Sequence, residues 1–166
     1  MEGTLDPLNQ NNKSIPLFTK LIATGFYSGY SPIAPGTAGS VVGILFFLIP
    51  GFESLIPLSI SITIVFFIGV LTSNRMEKIL GEDPSQVVID EIVGMWISVL
   101  FLPKGLIVAF MAFIFFRIFD IVKPQPARYM EKFQHGWGIM LDDVIAGIYA
   151  NLTTQLLIWL FPALTR

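Results

Sequence analysis

The chain of 166 residues contains no cysteine and a single histidine, His135. The first absence excludes disulfides, zinc–thiolate sites and any thiol nucleophile. The second excludes a mechanism that draws two histidines from one chain. Charge is scarce too: 13% of the residues are charged, against about 25% in soluble domains. The formal net charge is only −2, so no strongly basic surface invites nucleic acid. There is no convincing internal repeat and no low-complexity tract. Residues 1–14 are polar and carry acids, without the basic start and apolar core of a secretory signal. They read as a short tail, with residues 15–166 forming one membrane-embedded domain.

What the chain does have is apolar length. Hydrophobic residues make up 54% of it, and the mean hydropathy is +0.72. A membrane-spanning helix needs roughly 20 apolar residues. Residues 144–164 and 55–73 reach that length without a charge. Residues 38–49 are shorter and stop at Pro50-Gly51, while residues 92–102 and 106–116 flank a turn at Pro103-Lys104-Gly105. The expected fold is all-α: an integral membrane helical bundle of about five spans with one N-terminal interfacial helix over residues 15–30. With the N-terminus inside, Lys13, Lys20, Arg75, Lys78, Arg117, Lys123, Arg128 and Lys132 fall on the cytoplasmic side, and Lys104 and Arg166 outside. Eight against two is a positive-inside bias.

Five acids gather in three groups at the mouths of apolar runs: Asp90-Glu91, Asp120 and Asp142-Asp143. The same orientation puts all three groups on the cytoplasmic side. Carboxylates are costly at membrane depth and are kept there mainly for ion or proton chemistry. A pair such as Asp90-Glu91 can also merely favour a helix N-terminus. Asp90, Gly94 and Ser98 recur every four residues, as do Asp143, Gly147 and Asn151. Each set shares one helix face, and its small members let helices approach closely. Gly39 and Gly43 repeat the pattern on the first run.

Bases crowd the same ends. Arg117, Asp120 and Lys123 follow at spacings of three, where a plain reading is a ladder of intrahelical ion pairs. Pro124 and Pro126 end the helix, so Lys123 and Arg128 fan into a loop. Arg and Lys there suit a phosphate, and they also suit anionic lipid headgroups with no chemistry at all. His135 is a candidate proton donor, or an ordinary surface residue. In the loop that runs from Ser31 into the first apolar helix, Thr37 or Ser40 is placed to cap that helix. Free N–H groups at such an end can also bind phosphate.

Taken in order, GYSPIAPGTAGS (residues 29–40), VIDEIVGMWIS (88–98), FRIFDIVKPQPAR (116–128) and HGWGIMLDDVIAG (135–147) resemble the phosphatidylglycerophosphatase A family of bacterial membrane enzymes. The resemblance covers nearly all of the chain after the tail. It implies an all-helical fold with one central helix, and Mg²⁺-dependent hydrolysis of phosphatidylglycerophosphate to phosphatidylglycerol at the bacterial inner membrane. Carried onto this chain, Asp90, Glu91, Asp120, Asp142 and Asp143 become the catalytic and metal-binding set for Mg²⁺, with Mn²⁺ as the alternative. Arg117, Lys123, Arg128, His135 and Thr37 become substrate contacts. The partner is a phospholipid in the bilayer, with no obligate protein partner and no nucleic acid.

One metal or two, and a metal-activated water or an aspartyl-phosphate intermediate, all stay open. A CDP-alcohol phosphotransferase would need a longer paired-Asp motif that is missing. An intramembrane aspartyl protease would need Asp where Ile139 stands. A non-catalytic ion- or lipid-binding membrane protein is the rival from another class. A cluster at one membrane face, rather than at the midplane, weighs against transport.

Overall fold

The computed structural model describes residues 14–165. The tail expected over residues 1–14 lies, up to residue 13, outside the described residues. Among the described residues there are seven α-helices and no strand: α1 (Leu17–Ala23), α2 (Pro35–Phe47), α3 (Leu55–Leu80), α4 (Ile89–Val99), α5 (Leu106–Val122), α6 (Ala127–Met130) and α7 (Trp137–Leu160), with short 3-10 turns at Ser28–Tyr30 and Pro162–Thr165.

Local chemistry sets the helix ends. Pro35 opens α2 at a position where its missing N–H costs nothing. Gly81 closes α3 with φ +104°. Lys123 turns left-handed just past α5, and Pro124 cannot continue the helix. Two expectations need correction here. The segment 15–30 is not one interfacial helix: α1 ends at Ala23, and left-handed residues Gly25, Phe26 and Tyr27 turn the chain into the 3-10 segment. Neither Thr37 nor Ser40 caps α2, because its cap residue is Ala34. Starting the helix at Pro35 puts Thr37 inside the first turn, and Ser40 Oγ donates to the Gly36 carbonyl at 2.9 Å.

α4 is the central helix. It packs against α2, α3, α5 and α7, and nine of its eleven residues are buried. The small-residue faces meet as the spacing predicts. A Cβ on Gly94 would fall 2.5 Å from a Phe116 ring carbon and 2.9 Å from the Asp143 carbonyl oxygen, and one on Gly147 would fall 2.5 Å from the Gly94 carbonyl oxygen. No side chain larger than hydrogen fits that α4–α7 crossing. Lower on the same face, Asn151 Nδ2 donates to the carbonyls of Ser98 (3.1 Å) and Leu100 (2.7 Å). Across α2, Trp96 Nε1 donates to the Gly43 carbonyl at 2.9 Å.

The outer faces are apolar. On α3, Ile56, Ile60, Ile64, Phe67 and Leu71 are exposed; on α5, Ile107, Phe110, Ile114, Ile118 and Ile121; on α7, Ile148, Leu152, Leu156 and Trp159. Apolar outer faces of this extent mark surfaces that meet a membrane or another protein. α3, with 26 residues, and α7, with 24, are long and apolar enough to cross a bilayer. α2, α4 and α5 have 13, 11 and 17 residues, so length alone does not establish five spans.

Candidate active site

Three helices deliver the acids to one end of the bundle. The first turn of α4 carries Asp90 and Glu91, the last turns of α5 carry Arg117 and Asp120, and the second turn of α7 carries Asp142 and Asp143. Lys123 joins them from the left-handed position just beyond α5. A cavity of about 210 Å³ is lined by all five acids, Arg117 and Lys123, together with Pro35, Gly36, Asp83 and Ser85.

Within it the acids divide into two kinds. Asp120 is paired with Arg117 at 2.8 Å. Asp142 Oδ2 is paired with Lys123 at 2.6 Å, and its Oδ1 accepts the Asp143 N–H at 3.0 Å. Lys123 also reaches Glu131 at 2.7 Å. Burial would depress the Lys123 ammonium, but the charges and hydrogen bonds of Asp142 and Glu131 override it and hold its pKa well above the usual lysine value. The plain reading of a ladder along α5 therefore holds for Arg117 and Asp120, while Lys123 bridges to α7 instead.

Asp90, Glu91 and Asp143 are different. Each offers an oxygen, and these oxygens lie within 4.8 Å of one another. Asp90 Oδ1, Glu91 Oε2 and Asp143 Oδ2 are buried without a hydrogen-bond partner. Asp90 is 8% exposed and Asp143 2%. Buried carboxylates without compensation cost several kcal/mol each by order of magnitude, and orphaned buried polar atoms are uncommon. Three hard oxygen donors converging without a partner fit a divalent cation, so these residues could hold a metal.

The remaining candidates from the sequence lie elsewhere. Arg128 is exposed on α6 and does not line the cavity. His135, left-handed at φ +65°, lines a separate, mostly apolar cavity of about 260 Å³ with Phe67, Val70, Leu71, Asn74 and Trp137. Thr37 follows the cavity-lining Gly36 but is not itself in the lining. Four contributors escaped the sequence reading as site residues: Gly36, Asp83, Ser85 and Glu131. Only Gly36 had a signal, its Pro-Gly start to a helix. A larger cavity of about 380 Å³ adjoins the site, sharing Asp83 and Asp142 with it and adding Glu77, Glu82 and Glu131. The unpartnered acids line the smaller cavity, so that is where the chemistry is expected.

Comparison with known proteins agrees with this geometry. The family model described as phosphatidylglycerophosphatase A matches residues 21–158. A Bacteroides thetaiotaomicron protein described as "Putative phosphatidylinositol-3-phosphatase" is 45% identical over 150 residues, 84% of this chain and 92% of its own. Phosphatidylglycerophosphatase A of Escherichia coli is 40% identical over 133 residues, 77% of this chain and 76% of its own. The Haemophilus influenzae protein of the same name is 37% identical over 156 residues, 86% of this chain and 93% of its own. No solved structure matches. The matched stretch runs from α1 through α7 and includes every acid and base of the cavity, and the chain is a phosphatase that belongs to the phosphatidylglycerophosphatase A family.

Proposed function

We propose that the protein hydrolyses the phosphate monoester of phosphatidylglycerophosphate, giving phosphatidylglycerol and inorganic phosphate, with Mg²⁺ held by Asp90, Glu91 and Asp143. The observation that carries this is the trio of unpartnered carboxylate oxygens beside two bases. When bound there, Mg²⁺ supplies Lewis-acid charge stabilisation and an acidified water. The protein's own groups do the rest. Arg117, whose buried Nε has no partner, neutralises phosphate oxygens, and Lys123 adds a point charge. Asp120 and Asp142 hold these two bases in place. Of the adjacent acids on α7, Asp143 is the one left for the metal, because both Asp142 oxygens are already engaged. Phosphoryl transfer is mostly positioning and charge stabilisation, and this cavity is equipped for both.

The setting is one membrane-embedded unit in the bacterial inner membrane, with α2, α3, α4, α5 and α7 as the spans. The apolar outer faces support that arrangement. α4 is enclosed by its neighbours, so its 11 residues need not match the lipid thickness. The eight-to-two distribution of Lys and Arg favours a cytoplasm-facing site.

A second reading has one observation behind it: the 45% identical relative bears a phosphoinositide phosphatase description. Both substrates are lipid phosphate monoesters on polyol headgroups. Purified protein in detergent, given each lipid with Mg²⁺, Mn²⁺ or chelator, separates them. Phosphate release from phosphatidylglycerophosphate, lost in chelator, is the expected result. Release only from phosphatidylinositol 3-phosphate would transfer the assignment. Release from neither would point to another lipid phosphate as the substrate.

A further inference from the structure

α2 has 13 residues, and Pro35 and Gly36 at its start line the acid cavity. Pro35 has no N–H, so Gly36 and Thr37 carry the first donors of the helix. Its first internal hydrogen bond is the Ala38 N–H to the Ala34 carbonyl at 3.0 Å. Among the described residues, neither the Gly36 nor the Thr37 N–H has a hydrogen-bond partner. A Cβ at Gly36 would lie 2.2 Å from Glu91 Oε1 and 3.1 and 3.2 Å from the two Arg117 Nη atoms. Glycine is what lets the backbone sit this close to both groups. Glu91, although adjacent, takes neither free N–H.

An independent observation sits in the same cavity. Asp90 and Asp143, 8% and 2% exposed, present Oδ1 and Oδ2 without partners. The cavity thus holds acids that lack a cation and, beside them, backbone donors, the positive end of a helix dipole and an Arg117 Nε that has no partner although its Nη1 is paired with Asp120. A helix N-terminus of this kind binds phosphate through its free N–H groups.

Resting on the phosphatase proposal above, we infer that the backbone N–H groups of Gly36 and Thr37, with Arg117, form the subsite for the non-bridging oxygens of a phosphate monoester dianion. The Thr37 hydroxyl is not the contact; its backbone is. The subsite recognises the phosphoryl group itself, whether carried on a lipid or free as the product, and is indifferent to the rest of the headgroup.

The test uses the full chain in detergent micelles, ¹⁵N-labelled at glycine and threonine, with Mg²⁺ present. Titration with inorganic phosphate is expected to shift the Gly36 and Thr37 amide signals saturably, over the concentrations that inhibit turnover of phosphatidylglycerophosphate. Short-chain phosphatidylglycerol, which lacks the monoester, should leave both unmoved. Thr37→Pro deletes one donor in a helical turn that tolerates proline, and should lower kcat/KM about 10- to 100-fold, somewhat below the loss seen for a single oxyanion donor. If Thr37→Pro does not fold, the amide titration decides alone. Turnover inhibited by phosphate with both amides unmoved would overturn the subsite and leave the phosphatase intact, as would wild-type kcat/KM in a folded Thr37→Pro. Amides that respond equally to phosphatidylglycerol would also overturn it. No turnover on any lipid phosphate would remove subsite and phosphatase together.

Discussion

The two ends of the bundle solve the same packing problem with different chemistry. Away from the site, α2, α4 and α7 are tied by neutral donors aimed at backbone carbonyls: Trp96 to Gly43, and Asn151 to Ser98 and Leu100. Among the described residues the ion pair there, between Lys104 and Glu53, joins two loops, with the lysine largely exposed and Glu53 Oε2 enclosed without a partner. At the site end the same helices carry five acids against two bases, and three acids keep buried oxygens unpaired. The far end shows that these helices pack without a cluster of like charges. The acids are therefore a cost to stability that packing does not require, which is the mark of a functional site.

The sharpest way to break that comparison is to neutralise one unpaired acid. Asp143→Asn keeps the shape and removes the charge. Phosphate release should fall roughly a thousandfold or more, the consequence of losing several kcal/mol of transition-state charge stabilisation. Stability should move the other way: in chelator, the variant's thermal midpoint should equal or exceed that of wild type, because an uncompensated buried charge is gone. Added Mg²⁺ should raise the wild-type midpoint, as any ligand of the native state does, and leave that of the variant nearly fixed. A folded variant with near-normal turnover would take Asp143 out of the site. One that unfolds would return the acid to a structural role.

Next in size is Lys123→Met. It strips the cation from Asp142, which is 6% exposed, and from Glu131. The expected loss is roughly 2–4 kcal/mol, the range for breaking a largely buried pair and stranding its partner. The pKa of Lys123 is raised in the fold, so its contribution is fully present below the ordinary lysine value of about 10.4. It is lost only as pH climbs from there through the raised value. Denaturation of both proteins across alkaline pH checks this: the stability gap should hold from neutral pH to about pH 10 and narrow above it.

How much of this contrast the sequence discloses depends on the kind of feature. Periodicity carries well. The four-residue spacing of Asp90, Gly94 and Ser98, and of Asp143, Gly147 and Asn151, places both sets on the α4–α7 contact, and the three acid groups do share one cavity. Pairing does not carry. Nothing in the spacing says that Lys123 will leave its own helix for Asp142 and Glu131, since that depends on its left-handed backbone after Val122. Motif neighbours are also poor guides to spatial neighbours. Arg128 and His135 sit within the most specific stretches, yet the chain turns them away from the cavity. Helix length was blurred for a physical reason: charge at residues 75–78 ends the apolar run but not the helix, so α3 continues to Leu80.

Asn151→Leu probes the neutral end. It leaves the carbonyls of Ser98 and Leu100 without their donor, at a cost of about 1–3 kcal/mol. Chemical denaturation should register the loss while kcat stays at the wild-type value. A fall in kcat in a stable variant would mean that the two ends are coupled through the α4–α7 crossing.

The smallest effect should come from Lys104→Ala. Lys104 bridges to Glu53 between the α2–α3 and α4–α5 connections, with its own side chain 67% exposed. Exposed ion pairs contribute little to stability, because solvent already stabilises both charges and ordering a long side chain costs entropy. The Glu53 side chain is more enclosed, 13% exposed, so a small loss should still be measurable. Turnover and Mg²⁺ response should be unchanged. A loss well above this, or an altered metal response, would show that the far end holds functional charge after all, and the division between a neutral scaffold end and a charged reactive end would not stand.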